Sequence, residues 1–526
     1  MVPEITLEKY FSPFRQNVIG GEQSFESPFG HRKIIYVDWT ASGRAYRPIE
    51  ERIQREMLPF VANPHTGATV TGTLMSSAYE KAKTIIKEHV HADSDDALIF
   101  CGNGMTAAVN KLQRILGLRP PERLMDYAKR NKLQFDEALR PVVFVTHMEH
   151  HSNHISWLET IADVIIIDAN KKGNVDLGHF GHLLEQFSHR KNKIAAITAC
   201  SNVTGIETPY HKIAKLIHRH GGLCFVDFAC SAPYTGIDMH PTAKDSHLDA
   251  IYFSPHKFLG GPGAAGVLIF NKSIYTNTVP DQPGGGTVVY SNPWKVHEYV
   301  SDIEQREDGG TPPFLQGIKA AMCVRLKEEM GAENIKRREA ELLKIVFERF
   351  SKMNNIEVLE GSMKQRLGVV AFMVKDVHYN LIVKMLNDRF GIQTRGGCSC
   401  AGTYGHLLLH VDEAQSYQIL DSIRSGDLQC KPGWVRLSVH PTMTNAEIEF
   451  IMDAIELTAM HCHQWANDYS YNPGTNEFSF KGAGTKEQDI VDKWFKIHTP
   501  RGYAIQDQFR EWSATAFPSV SIKKAM

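Results

Sequence analysis

The chain lacks any long apolar run. No stretch of its 526 residues approaches the ~18 apolar residues of a membrane-spanning helix, so no membrane partner is expected. It also lacks an excess of charge. Lys and Arg number 58 against 59 Asp and Glu, a net charge of −1, which argues against nucleic acid or an anionic surface as a partner. Cysteine is sparse and odd in number, nine in all. That suits reduced thiols in a cytoplasmic protein better than a disulfide framework. The opening residues, MVPEITLEKYFSPFRQN, carry neither a basic segment nor an apolar one, so they do not read as a signal peptide. Internal repeats and low-complexity tracts are missing too. What remains is a chain of 42% hydrophobic composition, long enough for a large core and two or three domains, and of a size that suits an enzyme.

Short β-branched or aromatic runs recur from about residue 34 to 270: IIYVDW, ALIFC, VVFVTH, VIIID, IAAITAC, LCFVDF, AIYFS and GVLIF. Amphipathic stretches such as SAYEKAKTIIKEHV and YHKIAKLIHRHG lie between them, the second closing on a Gly stop. Continuous apolar strands alternating with helices predict an α/β domain with a mostly parallel sheet covered on both faces. Gly/Pro-rich loops follow at 281–315, then one long amphipathic helix from 315 to 350. A smaller α+β domain is expected next, with strands LGVVAFMV and WVRLSV. The expected division is an N-terminal arm (1–33), a large domain (34–315), a small domain (316–461) and a C-terminal extension (462–526) that packs on the body. The charged insertion 119–141 reads as a surface excursion.

Ligands of such sheets bind at the carboxyl ends of the strands, so the residues after each run are the candidates. ALIFC leads into GNGMTAAVN, a helix start whose free N–H groups suit one phosphate, around Gly104, Met105 and Thr106. A dinucleotide fingerprint would also need an acidic residue at a strand end ~20 positions on, and LRPPERLMD offers no strand there. VVFVTH leads into MEHHSNHISW. On a helix, His147, His151 and His154 would share a face, which leaves a metal reading open beside that of a ring stacked on a planar cofactor. No carboxylate or cysteine cluster clearly completes a metal site, and none is assigned. Asp227 closes a run that should be buried, so it needs a cation or strong donors. A protonated ring nitrogen would serve, as would a local ion pair.

Lys257 follows AIYFS on the turn SPHKFLGGPG. A lysine packed among small residues can lose its charge and attack a carbonyl, where a surface lysine would need no such setting. A phosphate cradle, a carboxylate and a lysine on one sheet edge are what pyridoxal phosphate requires. Further on, TRGGCSCAGTYGH places Cys398 and Cys400 after a Gly-Gly pair, beside Arg395. Two buried cysteines, a Cys-x-Cys metal pair with His406 or His410, and a mobile nucleophilic thiol all remain open. Arg436 lies within the apolar strand WVRLSV, where its fork could bind a carboxylate or make a structural ion pair.

These residues resemble the aminotransferase class V branch of the fold-type I pyridoxal-phosphate enzymes, and most of all the cysteine desulfurase and selenocysteine lyase family. The resemblance spans roughly residues 34–460. It rests on the ordered set NPHTG, GNGMT, MEHHSN, SNVTG, VDFA, SPHKFLGGPG, GGTP, RGGCSCA and VRLSVHPT. It implies that Lys257 carries the cofactor and moves the substrate Cα proton, that Asp227 holds the ring nitrogen, and that His150 stacks on the ring. It implies Asn202 near the phenolic oxygen, and Gly104, Met105, Thr106, Ser254 and His256 at the phosphate. Thr311 resembles the residue that reaches the phosphate of a neighbouring subunit, which implies a homodimer. Arg436 would clamp the substrate carboxylate, and Cys400, with Arg395, would take sulfur from L-cysteine as a persulfide and pass it to an acceptor protein. One departure is Cys230, which stands where the family usually has Gln. An aminotransferase or C–S lyase acting on another amino acid is the alternative, with Cys400 incidental. A cofactor-binding scaffold without activity is a third.

Overall fold

The computed structural model describes residues 5–64, 66–131, 136–482 and 487–496. His65 of the NPHTG motif, residues 132–135 of the insertion and much of the C-terminal extension lie outside these. The chain divides into two units, residues 1–479 and 480–526. In the second, the described residues include the helix Glu487–Trp494.

Seven of the eight apolar runs build one sheet. They are β1 (Asp96–Cys101), β2 (Val142–Thr146), β3 (Asp163–Ile167), β4 (Lys193–Thr198), β5 (Leu223–Asp227), β6 (Ala250–Phe253) and β7 (Gly266–Asn271), in the order β1-β7-β6-β5-β4-β2-β3. Strand β7 runs antiparallel to both neighbours, and the other pairings are parallel. Helices cover both faces, which is why nearly every residue of β1, β2, β4, β5, β6 and β7 is buried. Four of these helices matter below: α1 (Val70–His89), α2 (Met105–Ile115), α3 (His151–Leu158) and α4 (Tyr210–Arg219).

The eighth run goes elsewhere. Ile35–Tyr36 pairs in parallel with Ile392–Gln393, and Asp38 bridges to Ser438. This places IIYVDW against the smaller sheet, made of β8 (Ile356–Val358), β9 (Val369–Val374), β10 (Arg395–Gly397) and β11 (Trp434–Ser438) in the order β8-β9-β11-β10. The expected single helix at 315–350 is two, α5 (Phe314–Met330) and α6 (Ala332–Phe350). Gly331 sits between them at φ 75°, a left-handed conformation that an ordinary helical residue avoids. The insertion forms its own helix, Glu122–Arg130. Tyr471 and Phe478 pack on His378, so the first part of the C-terminal extension does lie on the body. Among the described residues no helix is long and apolar enough to cross a membrane.

Candidate active site

The turn that carries Lys257 is tight for a visible reason. Pro255–Lys257 forms a single turn of 3-10 helix straight after β6. A Cβ on Gly261 would collide with the Pro255 carbonyl oxygen, and Gly260 has φ 84°. Only glycine lets the chain fold back so closely. The lysine side chain is thereby left half-buried at the cavity wall, where loss of solvation pushes its amine below the ordinary lysine pKa.

One cavity of about 730 Å³ is lined by every residue to which the family resemblance gives a role except Thr311, whereas His147, His151, His154, Cys398, His406 and His410 do not line it. Most come from strand ends on one edge of the large sheet: Gly104 and Met105 after β1, His150 after β2, Asn202 after β4, Asp227 at the end of β5, and Ser254 to Lys257 after β6. Thr311 faces a neighbouring cavity, where its hydroxyl accepts a hydrogen bond from Asn63 Nδ2 at 3.0 Å.

At one end of the cavity α2 begins without a side-chain cap. The Met105 N–H donates to Ser254 Oγ at 2.9 Å, and Thr106 Oγ1 lies 2.7 Å from Ser152 Oγ. A Cβ on Gly104 would come within 2.9 Å of Ser254 Oγ and 3.5 Å of the His256 ring, so the backbone there is bare. Burial holds His256 neutral, with its pKa lowered to about 4. Further in, burial raises the Asp227 carboxyl to about 6, despite a 2.8 Å hydrogen bond from the Ala229 N–H and the nearby Lys257. Its charge would be favoured by a cation beside it. His150 caps α3, its Nδ1 accepting the Ser152 N–H at 3.1 Å. Burial, then the charges of Lys257, His151 and Arg436, lower its pKa to about 3. The ring is therefore neutral, with its proton on Nε2.

The shared His face did not form. His147 lies before α3 and its Nε2 donates to the Gly173 carbonyl at 3.3 Å. The other two hold the cysteine segment: His151 Nε2 accepts the Gly402 N–H at 2.8 Å, His154 Nδ1 lies 3.1 Å from Thr403 Oγ1, and the His151 N–H donates to the Cys400 carbonyl at 2.7 Å. That segment leaves β10 and enters α7 (Gly402–Leu408). Ser399 and Cys400 both take left-handed conformations, φ 52° and 56°, which is strained backbone for side chains other than glycine. Cys400 is exposed and Cys398 is half-buried. Asn202 Nδ2 donates to the Ser399 carbonyl at 2.7 Å, leaving its buried Oδ1 without a partner.

The residue that reading the sequence missed is Asp38. Its carboxylate joins both arginines: Arg436 Nη2 donates to Oδ1 at 2.7 Å and Arg395 Nε to Oδ2 at 2.8 Å. Arg436 Nη1 donates to the Asn202 carbonyl at 3.0 Å, and its buried Nε has no partner. Asp38 stands near the end of the run IIYVDW, so the strand-end rule held the signal. A second missed residue is Glu149, buried behind the site. It accepts from Thr146 Oγ1 at 2.6 Å, the Thr198 N–H at 2.8 Å and Asn153 Nδ2 at 2.8 Å, and burial raises it to about 7. Cys230 lines the cavity beside Cys200, and both thiols donate to the Ser201 carbonyl, at 3.7 and 3.5 Å.

A half-buried lysine amine facing the cavity, a buried carboxyl in want of a cation, a neutral ring and an uncapped helix start fit pyridoxal phosphate group by group. Fold and site together define a pyridoxal-phosphate enzyme of fold type I. The chain belongs to the aminotransferase class-V family, whose model matches residues 35–451. It is 30% identical over 376 residues to a probable cysteine desulfurase of Halalkalibacterium halodurans, covering 70% of this chain and 84% of that protein. A probable cysteine desulfurase of Staphylococcus aureus is 27% identical over 374 residues, covering 70% and 84%. Among solved structures, the apo cysteine desulfurase of Thermococcus onnurineus matches with a TM-score of 0.67 at 21% identity, over 85% of this chain and 98% of that one. An Escherichia coli cysteine desulfurase matches with a TM-score of 0.62 at 19% identity, over 81% and 94%.

Proposed function

We propose that this enzyme is a cysteine desulfurase that converts L-cysteine to L-alanine and carries the sulfur as a persulfide on Cys400. The observation that supports this most is that Cys400, exposed at a strained turn, lines the same cavity as Lys257. Pyridoxal phosphate, when bound, supplies an electron sink that makes the substrate Cα proton acidic. Met105, Thr106, Ser254 and His256, at the uncapped helix start, hold its phosphate. Asp227 holds the ring nitrogen, and the neutral His150 ring stacks on the cofactor without opposing its positive charge. Asn202 lines the same cavity.

Lys257 would hold the cofactor, and once the substrate amine displaces it, its free amine would take the proton from the substrate Cα. Arg436 lines the cavity and offers its guanidinium to the substrate carboxylate, and Asp38 fixes the orientation of that group. Cys400 attacks as thiolate. Its Sγ bonds to the substrate sulfur as the substrate C–S bond breaks. The electron pair of that bond passes to the carbon fragment, which leaves as alanine after protonation. The persulfide then passes its outer sulfur to an acceptor protein or a reducing thiol. The reading includes a cytoplasmic setting, which the nine free cysteines suit, and a homodimer in which Thr311 faces the neighbouring subunit.

The test is product analysis with L-cysteine and a reductant, for the wild type and Cys400→Ala. Equal alanine and sulfide from the wild type, with both lost in the variant, are expected. Undiminished alanine and sulfide from the variant would exclude a persulfide on Cys400, and pyruvate with ammonia in place of alanine would make it a C–S lyase. Transamination products in place of alanine and sulfide would make it an aminotransferase.

A further inference from the structure

The loop 240–249 carries a group of side chains that the desulfurase reading leaves unused. It enters β6 at the end opposite Lys257, so it lies on the other edge of the sheet. His218, in the last turn of α4, meets His247 and Asp249 there. The three ligand atoms all lie within 4.8 Å of one another. His218 Nε2 is 2.8 Å from Asp249 Oδ2, and His247 Nε2 is 3.7 Å from Asp249 Oδ1.

The protons around His218 do not add up for a neutral ring. Its Nδ1 lies 2.8 Å from the Asp245 carbonyl oxygen, which can only accept, so Nδ1 carries a proton. Its Nε2 faces the carboxylate oxygen of Asp249, which also only accepts. A neutral imidazole has one N–H. The second contact therefore needs either an extra proton or a metal ion at Nε2. A backbone carbonyl that accepts from Nδ1–H is how proteins orient a histidine whose Nε2 binds a metal. The carboxylate is oriented too: Asp249 Oδ2 accepts the Cys224 N–H at 2.7 Å.

We propose that His218, His247 and Asp249 form a binding site for a divalent transition-metal ion of the zinc class, unconnected with the cofactor cavity. Two imidazole nitrogens and one carboxylate suit zinc-like ions, whereas calcium and magnesium prefer oxygen alone. Three protein ligands leave a fourth position for water. Binding replaces the Nε2 proton of His218, which passes to the buffer, and the metal takes its place. The His247 ring now stacks on His218, with centroids 4.0 Å apart and planes 12° apart. In that stack the two rings cannot both point at one ion, so His247 must turn. Its side chain is 47% exposed, which leaves room for the turn. The ion then ties the end of α4 to the loop that feeds β6 and stabilises that junction by mass action.

The test uses the full-length holoenzyme dialysed against zinc ions, with bound metal measured in the wild type, His247→Ala and His218→Gln. One ion per chain that both variants lose is expected, with a rise in Tm on zinc addition that both variants also lose. Cobalt(II) in place of zinc separates this site from the cysteines. A histidine and carboxylate site gives only weak visible bands, whereas thiolate ligands add an intense near-ultraviolet band. The proposal is overturned if the wild type binds no ion, if the variants bind as the wild type does, or if cobalt shows only the thiolate spectrum.

Discussion

Asp38 shows how much one carboxylate can organise. Two guanidinium groups converge on it from different strands, Arg395 on β10 and Arg436 on β11. Arg436 is 3% exposed, so its charge depends on that partner. Removing one member of such a buried pair costs about 3–5 kcal/mol, because the other is left buried and uncompensated. Asp38→Asn keeps the shape and removes the charge. The expected outcome is a lower urea midpoint, together with a KM for the amino acid about tenfold higher and a kcat changed less, since substrate orientation is what suffers first. Steady-state kinetics beside urea unfolding would check both. An unchanged KM in a destabilised variant would confine Asp38 to a structural role. Arg436 stood out in the sequence as a charge inside an apolar strand. The sequence left open whether its partner was a substrate or a protein carboxylate, because the answer lies almost four hundred residues upstream.

Among the elements, the apolar runs were legible wherever burial on both faces demanded continuous hydrophobicity, as in ALIFC, LCFVDF and GVLIF. Their shared sheet edge brings Lys257, Asp227 and the α2 start to one cavity. IIYVDW reads the same way but pairs with Ile392–Gln393 and bridges to the smaller sheet only at Asp38, because local pattern does not encode which edge a strand will pair with. Helix spacing grouped His147 with His151 and His154, but α3 starts only at His151. What spacing could not show is that His151 and His154 brace the cysteine segment. Contacts from this one short helix reach Cys400, Gly402 and Thr403. They secure the strained turn on one side, as Asn202 does at Ser399. His151→Ala removes the acceptor of the Gly402 N–H, a loss of about 0.5–1.5 kcal/mol in holding the loop. A comparable rise in the barrier to sulfur transfer means up to about tenfold slower alanine formation. Cofactor absorbance should not change, and alkylation of Cys400 by iodoacetamide should be faster. An equal loss of bound cofactor would instead mean that His151 acts on the ring site.

Over the whole molecule, buried titratable groups tie stability to pH with opposing signs. Burial raises Asp227 to about 6 and Glu149 to about 7, so the native state takes up protons there before the unfolded chain does. These carboxyls favour the fold as pH falls. Buried histidines act the other way. His440 is fully buried and stacked on Trp39, with centroids 3.8 Å apart, and its Nδ1 lies 2.7 Å from Thr442 Oγ1. Burial lowers its pKa from the ordinary 6.5 to about 3. Its contribution is thus fully present above pH 6.5 and is lost progressively as pH falls toward 3, because the unfolded chain binds a proton that the native state refuses. Well inside that window, one such proton is worth about 1.4 kcal/mol per pH unit. His440→Gln breaks the stack and lowers stability at every pH. The informative quantity is the slope. Between about pH 6 and 4, the unfolding free energy of the variant should fall less steeply than that of the wild type, by about one proton. Urea unfolding of both proteins across that range measures it. Parallel curves would mean that the native state protonates His440 in spite of its burial, so that the stack with Trp39 opens in acid.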